Sequence, residues 1–328
     1  MTFTDDRLDE LFALAHPSPA RDTALRAQDI ALRERIIRGD IAPRRAPHHR
    51  GIWAAGLTTA VAACAIVALI AVNVLAPDQR AVALTPPPLV YTDAEPLDAV
   101  LADAHAALAD GEGPAQAPHV ELVTWGWSID MSEKNIEVIP QDVTIDWTLD
   151  EGGVTTIVAG EPYWEDGERP EGLRESPYEP GELIDRVTMT PEQFNIPPAT
   201  AALDGSSRDE LEAALAPYLS DDPAPTSGEL GAAIVSLMSQ WTLTDAQHAT
   251  LLDMLVDAGG VTVLGRTTDR LGRDVVGLEV AEPSNPLYRL TVLVSRETGR
   301  IVGTEDELTE PLDFIPAGVT GYTLWDVR

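Results

Sequence analysis

The chain has 328 residues, enough for a sizeable buried core, and a formal net charge of −32. Residues 1–50 hold nine arginines and eight acids out of 22 basic and 54 acidic residues in all, so residues 51–328 carry 13 basic and 46 acidic groups. A surface this acidic repels phosphate backbones, which argues against nucleic-acid binding. The single cysteine, Cys64, excludes an intrachain disulfide and a cysteine zinc site.

An uncharged apolar run, GIWAAGLTTAVAACAIVALIAVNVLAP, occupies residues 51–77. About 20 residues at ~1.5 Å each cross a bilayer, so the run predicts one transmembrane helix. The flank before it is rich in arginine, whereas Asp78 and Arg80 nearly cancel after it. We therefore expect a plasma-membrane protein with a cytoplasmic N-terminus and residues 78–328 extracytoplasmic. A cleaved signal peptide is the alternative, because VLA resembles a cleavage site; the late start of the run and Pro77 favour an uncleaved signal anchor.

The segment before the span, residues 1–50, has apolar residues at helical spacing on both sides of HPSP. This pattern predicts two short amphipathic helices followed by a basic tether. Fifty residues bury little core, so the helices bind a partner, lie on the membrane surface or stay partly disordered. One hypothesis is that residues 1–45 hold a cytoplasmic regulatory protein, as the tails of anti-sigma factors do; the other is a poorly ordered determinant of topology.

The outer part begins with a proline-rich linker, residues 78–96, and continues as a domain, residues 97–328. The linker is expected to be a stiff, extended spacer. LDAVLADAHAALADG then predicts an amphipathic helix over 97–109. An acidic loop, residues 161–183, lacks the regular spacing of a calcium loop and is interpreted as solvated.

From residue 119 the apolar period is two, which predicts three consecutive antiparallel strands. We expect the tryptophan-bearing faces of the first two strands to share one core, rather than to stack on sugars. The residues assigned to these faces are Val123, Trp125, Trp127, Ile129, Val143, Ile145, Trp147 and Leu149.

Residues 190–259 predict a helical block. Four capping boxes, TPEQ, SRDE, TSGE and TDAQ, open its helices, and Gly259 and Gly260 end the last one. Two hairpins with DRLGR and ETGR turns follow. In the final strand we expect Tyr322 and Leu324 on one face and Val319 and Trp325 on the other. This order of elements predicts an α+β fold: an antiparallel, curved sheet with helices packed on one face.

Motifs of common enzymes are missing from the sequence: HExxH, GxSxG, a Walker loop and GxGxxG. The outer histidines are His105, His119 and His248, and His248 is expected to be a partly exposed helix residue. Any pairing among 46 acids is explained by chance. The sequence therefore predicts no catalytic residue, no cofactor site and no metal site, and a protein that is not an enzyme.

Two turn motifs support a family resemblance. Asp269, Gly272 and Arg273 form Asp-x-x-Gly-Arg, and Thr298, Gly299 and Arg300 form Thr-Gly-Arg. With the leucine-rich helix and Gly-Val step before them, they resemble the C-terminal part of a family of actinobacterial single-pass membrane proteins with an Arg-rich cytoplasmic tail. That resemblance implies a membrane-tethered regulator associated with sigma factors and no transferable activity. The element order is also similar to the half-barrels of lipoprotein carriers.

The second motif lies in RLTVLVSRETGRIVGTEDEL, where charged residues crowd a turn. Gly299 can supply the positive φ of a hairpin turn, so we interpret Arg296, Glu297 and Arg300 as exposed turn residues and not as a site.

Two functions remain open. The first is a membrane-anchored, non-enzymatic sensor or regulator, acidic outside, with a tail that binds a cytoplasmic protein. The alternative is an envelope module in which the sheet and the helices of residues 207–258 enclose an apolar ligand such as a lipid. A third, an extracellular enzyme, would require convergent polar groups at a cleft.

Overall fold

A computed structural model describes residues 88–130, 135–138, 140–161, 178–220, 224–310 and 317–327. The predicted cytoplasmic helices, the predicted transmembrane segment 51–77, the first part of the predicted linker and most of the acidic loop lie outside these residues. Among the helices of the described ranges, none is long and apolar enough to cross a membrane.

The strands of the described residues form one antiparallel sheet. They are β1 (His119–Asp130), β2 (Asn135–Val138), β3 (Gln141–Thr148), β4 (Gly152–Ala159), β5 (Leu183–Met189), β6 (Val261–Thr268), β7 (Asp274–Val280), β8 (Tyr288–Ser295), β9 (Ile301–Leu308) and β10 (Gly318–Trp325). Nine follow one another in the order β5-β4-β3-β1-β10-β9-β8-β7-β6, and β2 pairs with the far part of β1. The predicted α+β class with an antiparallel sheet is confirmed.

Four helices of the described residues begin at their predicted capping boxes. The helices of these ranges are α1 (Leu97–Leu108), α2 (Pro191–Phe194), α3 (Pro198–Ala201), α4 (Arg208–Leu215), α5 (Ser227–Met238) and α6 (Asp245–Asp257), with a 3-10 turn at Ala216–Tyr218. All four predicted capping boxes are present, at α2, α4, α5 and α6. Gly259 and Gly260, with φ of 79° and 71°, follow the end of α6 as predicted. These caps satisfy backbone groups that a helix end would otherwise leave unpaired.

We call the helix-covered side of the sheet its inner face. Side chains of α1, α4, α5 and α6 form one apolar cluster there with strand residues such as Leu122, Ile145 and Leu278. Many of these side chains are fully buried, and each contributes about 1.5–3 kcal/mol to folding. Side chains thus occupy the space between the helices and the sheet.

The opposite side, the outer face, has a second and smaller apolar cluster. Its buried members are Trp125, Val275, Leu293, Val302, Val319, Tyr322 and Leu324. Leu122 pairs with Val143, which places both on the inner face and turns Val123 and Trp125 outwards. The prediction that Trp125 shares a core with Trp147 is therefore wrong. Both faces of β1 are apolar, so alternation alone does not choose between them.

Local irregularities account for two further wrong predictions. Val319 packs with Tyr322 and Leu324, because the register of β10 shifts between Val319 and Gly321. An extra residue in a strand turns every residue beyond it to the other face. Leu149, expected on the inner face, is 61% exposed because it lies in the turn after β3. The side chains of Trp127 and Ile129 lie outside the described part of the chain.

Candidate functional site on the outer face

Asp269, Gly272 and Arg273 form the turn between β6 and β7. The Asp269 side chain is fully buried and accepts hydrogen bonds from the N–H groups of Leu271 and Arg273, both at 2.9 Å. The Arg273 Nε donates to Asp269 Oδ2 at 2.7 Å. The rest of the Arg273 guanidinium donates to three backbone carbonyls, those of Val302, Trp325 and Asp326. This motif therefore fastens the turn to β9 and to the end of β10.

Thr298, Gly299 and Arg300 form the turn between β8 and β9. Arg296 and Glu297 are exposed as predicted, but Arg300 is 7% exposed, so its expected exposure is wrong. The turn lies against α1 and the beginning of α6. Two carboxylates accept hydrogen bonds from Arg300 there. Its Nε lies 2.6 Å from Asp245 Oδ1, and its Nη1 lies 2.9 Å from Asp326 Oδ2.

The two motifs meet at Asp326. Arg273 binds its backbone carbonyl at 2.9 Å, and Arg300 binds its carboxylate at 2.9 Å. Asp326 has a φ of 55°, a region that non-glycine residues seldom occupy. Both motifs thus hold the segment after β10, which makes them structural anchors.

His248 lies near this arginine and is buried, with 3% exposure, so the expected partial exposure is wrong. Its ring faces the interior of the domain and not solvent, and its Nδ1 has no partner among the described residues. Burial lowers the pKa of His248 to about 4, with Asp326 acting in the opposite direction. The side chain is therefore neutral at physiological pH.

The chain crosses the outer face before α1 begins. We call residues 88–95 the strap. Thr92 and Arg266 exchange two backbone hydrogen bonds, of 2.9 and 2.6 Å, and Arg266 Nε lies 2.6 Å from Glu95 Oε1. The Tyr91 ring covers Gly277, where a Cβ atom would collide with it. This part of the predicted linker therefore packs on the sheet.

A buried ion pair lies beneath the strap. Arg270 pairs with Glu305, and both side chains are 6% exposed. The other Glu305 oxygen accepts the backbone N–H of Leu89 at 3.2 Å, so one carboxylate joins the strap to the sheet. The Arg270 guanidinium lies 5.1 Å from the centre of the Tyr322 ring, which stacks on Trp125 with 5.9 Å between ring centres. Burial raises the pKa of Glu305, and Arg270 opposes that shift.

A groove of about 790 Å³ opens beside this pair. It lies between β1, β3, the β6–β7 turn and the first residues of the strap. Part of its wall is apolar: Leu89, Val123, Pro140, Leu271, Tyr322 and Val327. Its charged lining consists of four acids and one arginine: Glu121, Asp142, Glu161, Asp269 and Arg270. The size falls in the range of small-molecule sites, roughly 300–1,000 Å³.

The other histidines form exposed pairs with carboxylates. His105 lies 2.9 Å from Asp253, and His119 lies 2.7 Å from Asp146. Within the described ranges, no three His, Cys, Asp or Glu side chains are grouped closely enough to hold a metal ion. The groove could recognise a ligand through its shape, its apolar wall and its charged lining residues.

Comparison with known proteins leaves the family open. No family model and no curated protein matches the chain. One similar solved structure is a DUF1329 family protein from Desulfovibrio piger, with 12% identity over 71% of this chain and 94% of that one. Its TM-score of 0.20 is too low to support an argument about the fold or the function.

Sequence reasoning missed the strap and the Arg270–Glu305 pair. The only signal for the pair is that Glu305 interrupts the apolar positions of β9, and an acid in a strand usually faces solvent. The groove depends on which face of β1 turns outwards, so the sequence could not locate it.

Proposed function

We propose that this protein is a membrane-anchored, non-enzymatic sensor or regulator with its α+β domain outside the plasma membrane. The apolar run 51–77 and its arginine-rich flank support the topology. The observation that carries the proposal is the strap: the chain that leaves the predicted span is fastened to the sheet through Leu89 and Glu305. A change at the outer face would thus act on the strap, the part of the described chain that is nearest in sequence to the predicted span.

The finer fold expectation belongs to the same proposal. We infer that the sheet curves as in the half-barrels of lipoprotein carriers and envelope-stress sensors. In that arrangement the outer domain receives a signal, and residues 1–45 engage a cytoplasmic regulatory protein in the manner of an anti-sigma factor.

Topology is tested with single introduced cysteines, because the one native cysteine, Cys64, lies within the predicted span. In intact cells, a membrane-impermeant maleimide should label Glu151→Cys and not Ser18→Cys. The reverse pattern would contradict the orientation, and labelling of both would contradict the single span.

Regulation is tested by deleting residues 1–40, which keeps Arg44, Arg45 and Arg50 and so preserves the orientation signal. Crosslinking from the tail in cells should capture a specific protein, and the deletion should abolish that capture and change the transcriptional response to envelope stress. If the tail gave no specific crosslinks and the response stayed normal after the deletion, the proposed regulatory function would be contradicted.

The groove supports a second candidate, an envelope module that binds a hydrophobic ligand. The ligand would lie on the outer face rather than between the helices and the sheet. Solvent extraction of the purified full chain, followed by mass spectrometry, should recover a bound small molecule. Recovery of the same molecules from a variant with the groove blocked, Val123→Arg, would count against specific binding there.

A further inference from the structure

The outer-face groove has a chemical bias that the proposed function leaves unspecified. Four of its five charged lining residues are acids. Two of the charges are already neutralised, since Asp269 pairs with Arg273 and the lone basic residue, Arg270, pairs with Glu305. Glu121 lies 3.4 Å from His119. Asp142 and Glu161 are the other two carboxylates of the lining, and they leave it negatively charged.

This charge lies on β3 and just after β4. Asp142 Oδ1 would lie 3.3 Å from a Cβ atom on Gly160, the residue before Glu161, so the two acids are neighbours in the lining. No cation partners either carboxylate within the described part of the chain. Partial burial raises the pKa of Asp142, and the neighbouring Glu161 raises it further. A ligand cation placed here would relieve the repulsion between the two carboxylates.

Apolar side chains line the same groove, and Val123 lies directly across from Asp142 on the neighbouring strand. Leu271 is 40% exposed at the tip of the β6–β7 turn, and Val123, Tyr322 and Leu89 continue the same wall. Exposed apolar surface beside a concave wall favours burial of a hydrophobic group. One molecule with a positive group and an apolar part would match both kinds of lining.

We propose that the groove binds an amphipathic cation, with its positive group at Asp142 and Glu161 and its apolar part against Leu271, Val123 and Leu89. This deepens the proposed function, on which it rests for its physiological meaning, by naming the class of signal molecule. Leu89 is also the residue whose N–H binds Glu305. An occupant would therefore contact the strap at its first fastening point.

The probes are tetraphenylphosphonium and tetraphenylborate, two ions of nearly equal size and opposite charge. Binding to the full chain in nanodiscs is measured by equilibrium dialysis, with empty nanodiscs subtracted. The expected result is saturable binding of the cation and none of the anion. Equal binding of both ions would overturn the proposal, since it would report apolar surface alone.

The variant Asp142→Asn with Glu161→Gln should bind the cation at least about tenfold more weakly, because it removes the local negative charge. The matched control, Asp150→Asn with Glu151→Gln, removes two exposed acids at the β3–β4 turn and should bind like the wild type. Equal weakening by both variants would overturn the proposal, because only the overall charge would then matter.

Hydrogen exchange of the wild-type strap gives a measurement that depends on no variant. The cation should slow exchange of the Leu89 amide, and an unchanged rate at saturation would contradict contact with the strap. Failure of cation binding is distinguishable from failure of the regulator function. The cation can bind whether or not the tail has a partner, and crosslinking from the tail does not depend on the groove.

Discussion

Arg300 donates a 2.6 Å hydrogen bond to Asp245, and this bond joins the β8–β9 turn to the first residue of α6. Its side chain is 8% exposed, and that of Asp245 is 10% exposed. The backbone N–H of Gly113 donates to the other Asp245 oxygen at 2.8 Å. The Asp245 carboxylate therefore links α6 to the β8–β9 turn and to the segment at Gly113, and Arg300 supplies its counter-charge.

Replacing Arg300 with methionine should lower the free energy of unfolding by about 3–5 kcal/mol, because Asp245 would be left buried without a cation. Chemical denaturation of the full chain measures the change. Arg296→Met, four residues earlier and exposed, should change it by less than about 0.5 kcal/mol. Similar losses in both variants would contradict the buried role.

Gly299→Val should destabilise the fold for two reasons. Gly299 has a φ of 72°, and a Cβ atom there would collide with the backbone carbonyl of Ala104 in α1. Gly259→Ala separates these causes, since its φ is 79° and its Cβ would have open space. We expect a loss of about 1 kcal/mol for Gly259→Ala and at least twice that for Gly299→Val. Ligand binding by the folded fraction should be unchanged, and loss of binding with an unchanged melting temperature would show a functional role for the turn.

His248 should make the fold acid-sensitive. Its pKa is about 4 when folded and near 6.5 when unfolded, so the unfolded state takes up the proton first as the pH falls. This group's contribution is fully present above pH 6.5 and is lost progressively towards pH 4, by up to about 3 kcal/mol. His248→Asn should abolish this part of the pH dependence in denaturation curves, whereas the exposed-pair variant His105→Gln should retain it.

Asp306 should act in the opposite direction. Partial burial, with Glu305 beside it, raises the pKa of Asp306 to about 6, so the folded state takes up this proton first. Stability from this group grows as the pH falls from about 6 towards 3.8 and is absent at pH 7. Asp306→Asn should therefore raise the free energy of unfolding at pH 7 by about 1 kcal/mol, a modest value because the side chain is partly exposed. No gain at pH 7, measured against Asp150→Asn, would contradict an unfavourable environment for the Asp306 charge.

The strap should be released by removing one backbone donor. Leu89→Pro deletes the N–H that binds Glu305, a hydrogen bond to a charged group worth about 1.5–3 kcal/mol. Hydrogen exchange over residues 88–95 should become at least about tenfold faster. Val90→Pro is the control, because Val90 is 78% exposed and its N–H has no recorded acceptor among the described residues. An equal effect of both variants would locate the stability of the strap elsewhere.

Helix starts were the most predictable part of the fold, because a capping box satisfies backbone groups within four consecutive residues. The faces on which strand side chains lie were harder to predict. The placement of Trp125 depends on its register with β3, and that of Val319 on a bulge, so both are set by partners distant in sequence. Arg300 shows the same limit, since its burial requires Asp245 from another element. The groove depends on strand register and on contacts between distant elements, so only the structure could locate it.

The central position of β10 constrains how the domain assembles. It stands between β1 and β9, and a hydrogen bond from the Thr124 side chain to the Tyr322 carbonyl spans 198 positions of sequence. Until β10 arrives, the sheet consists of two halves with open edges, on β1 and on β9. Closing so long a loop is slow, and open strand edges invite pairing with other chains. The chain is therefore most prone to pair with other chains during the interval before β10 docks.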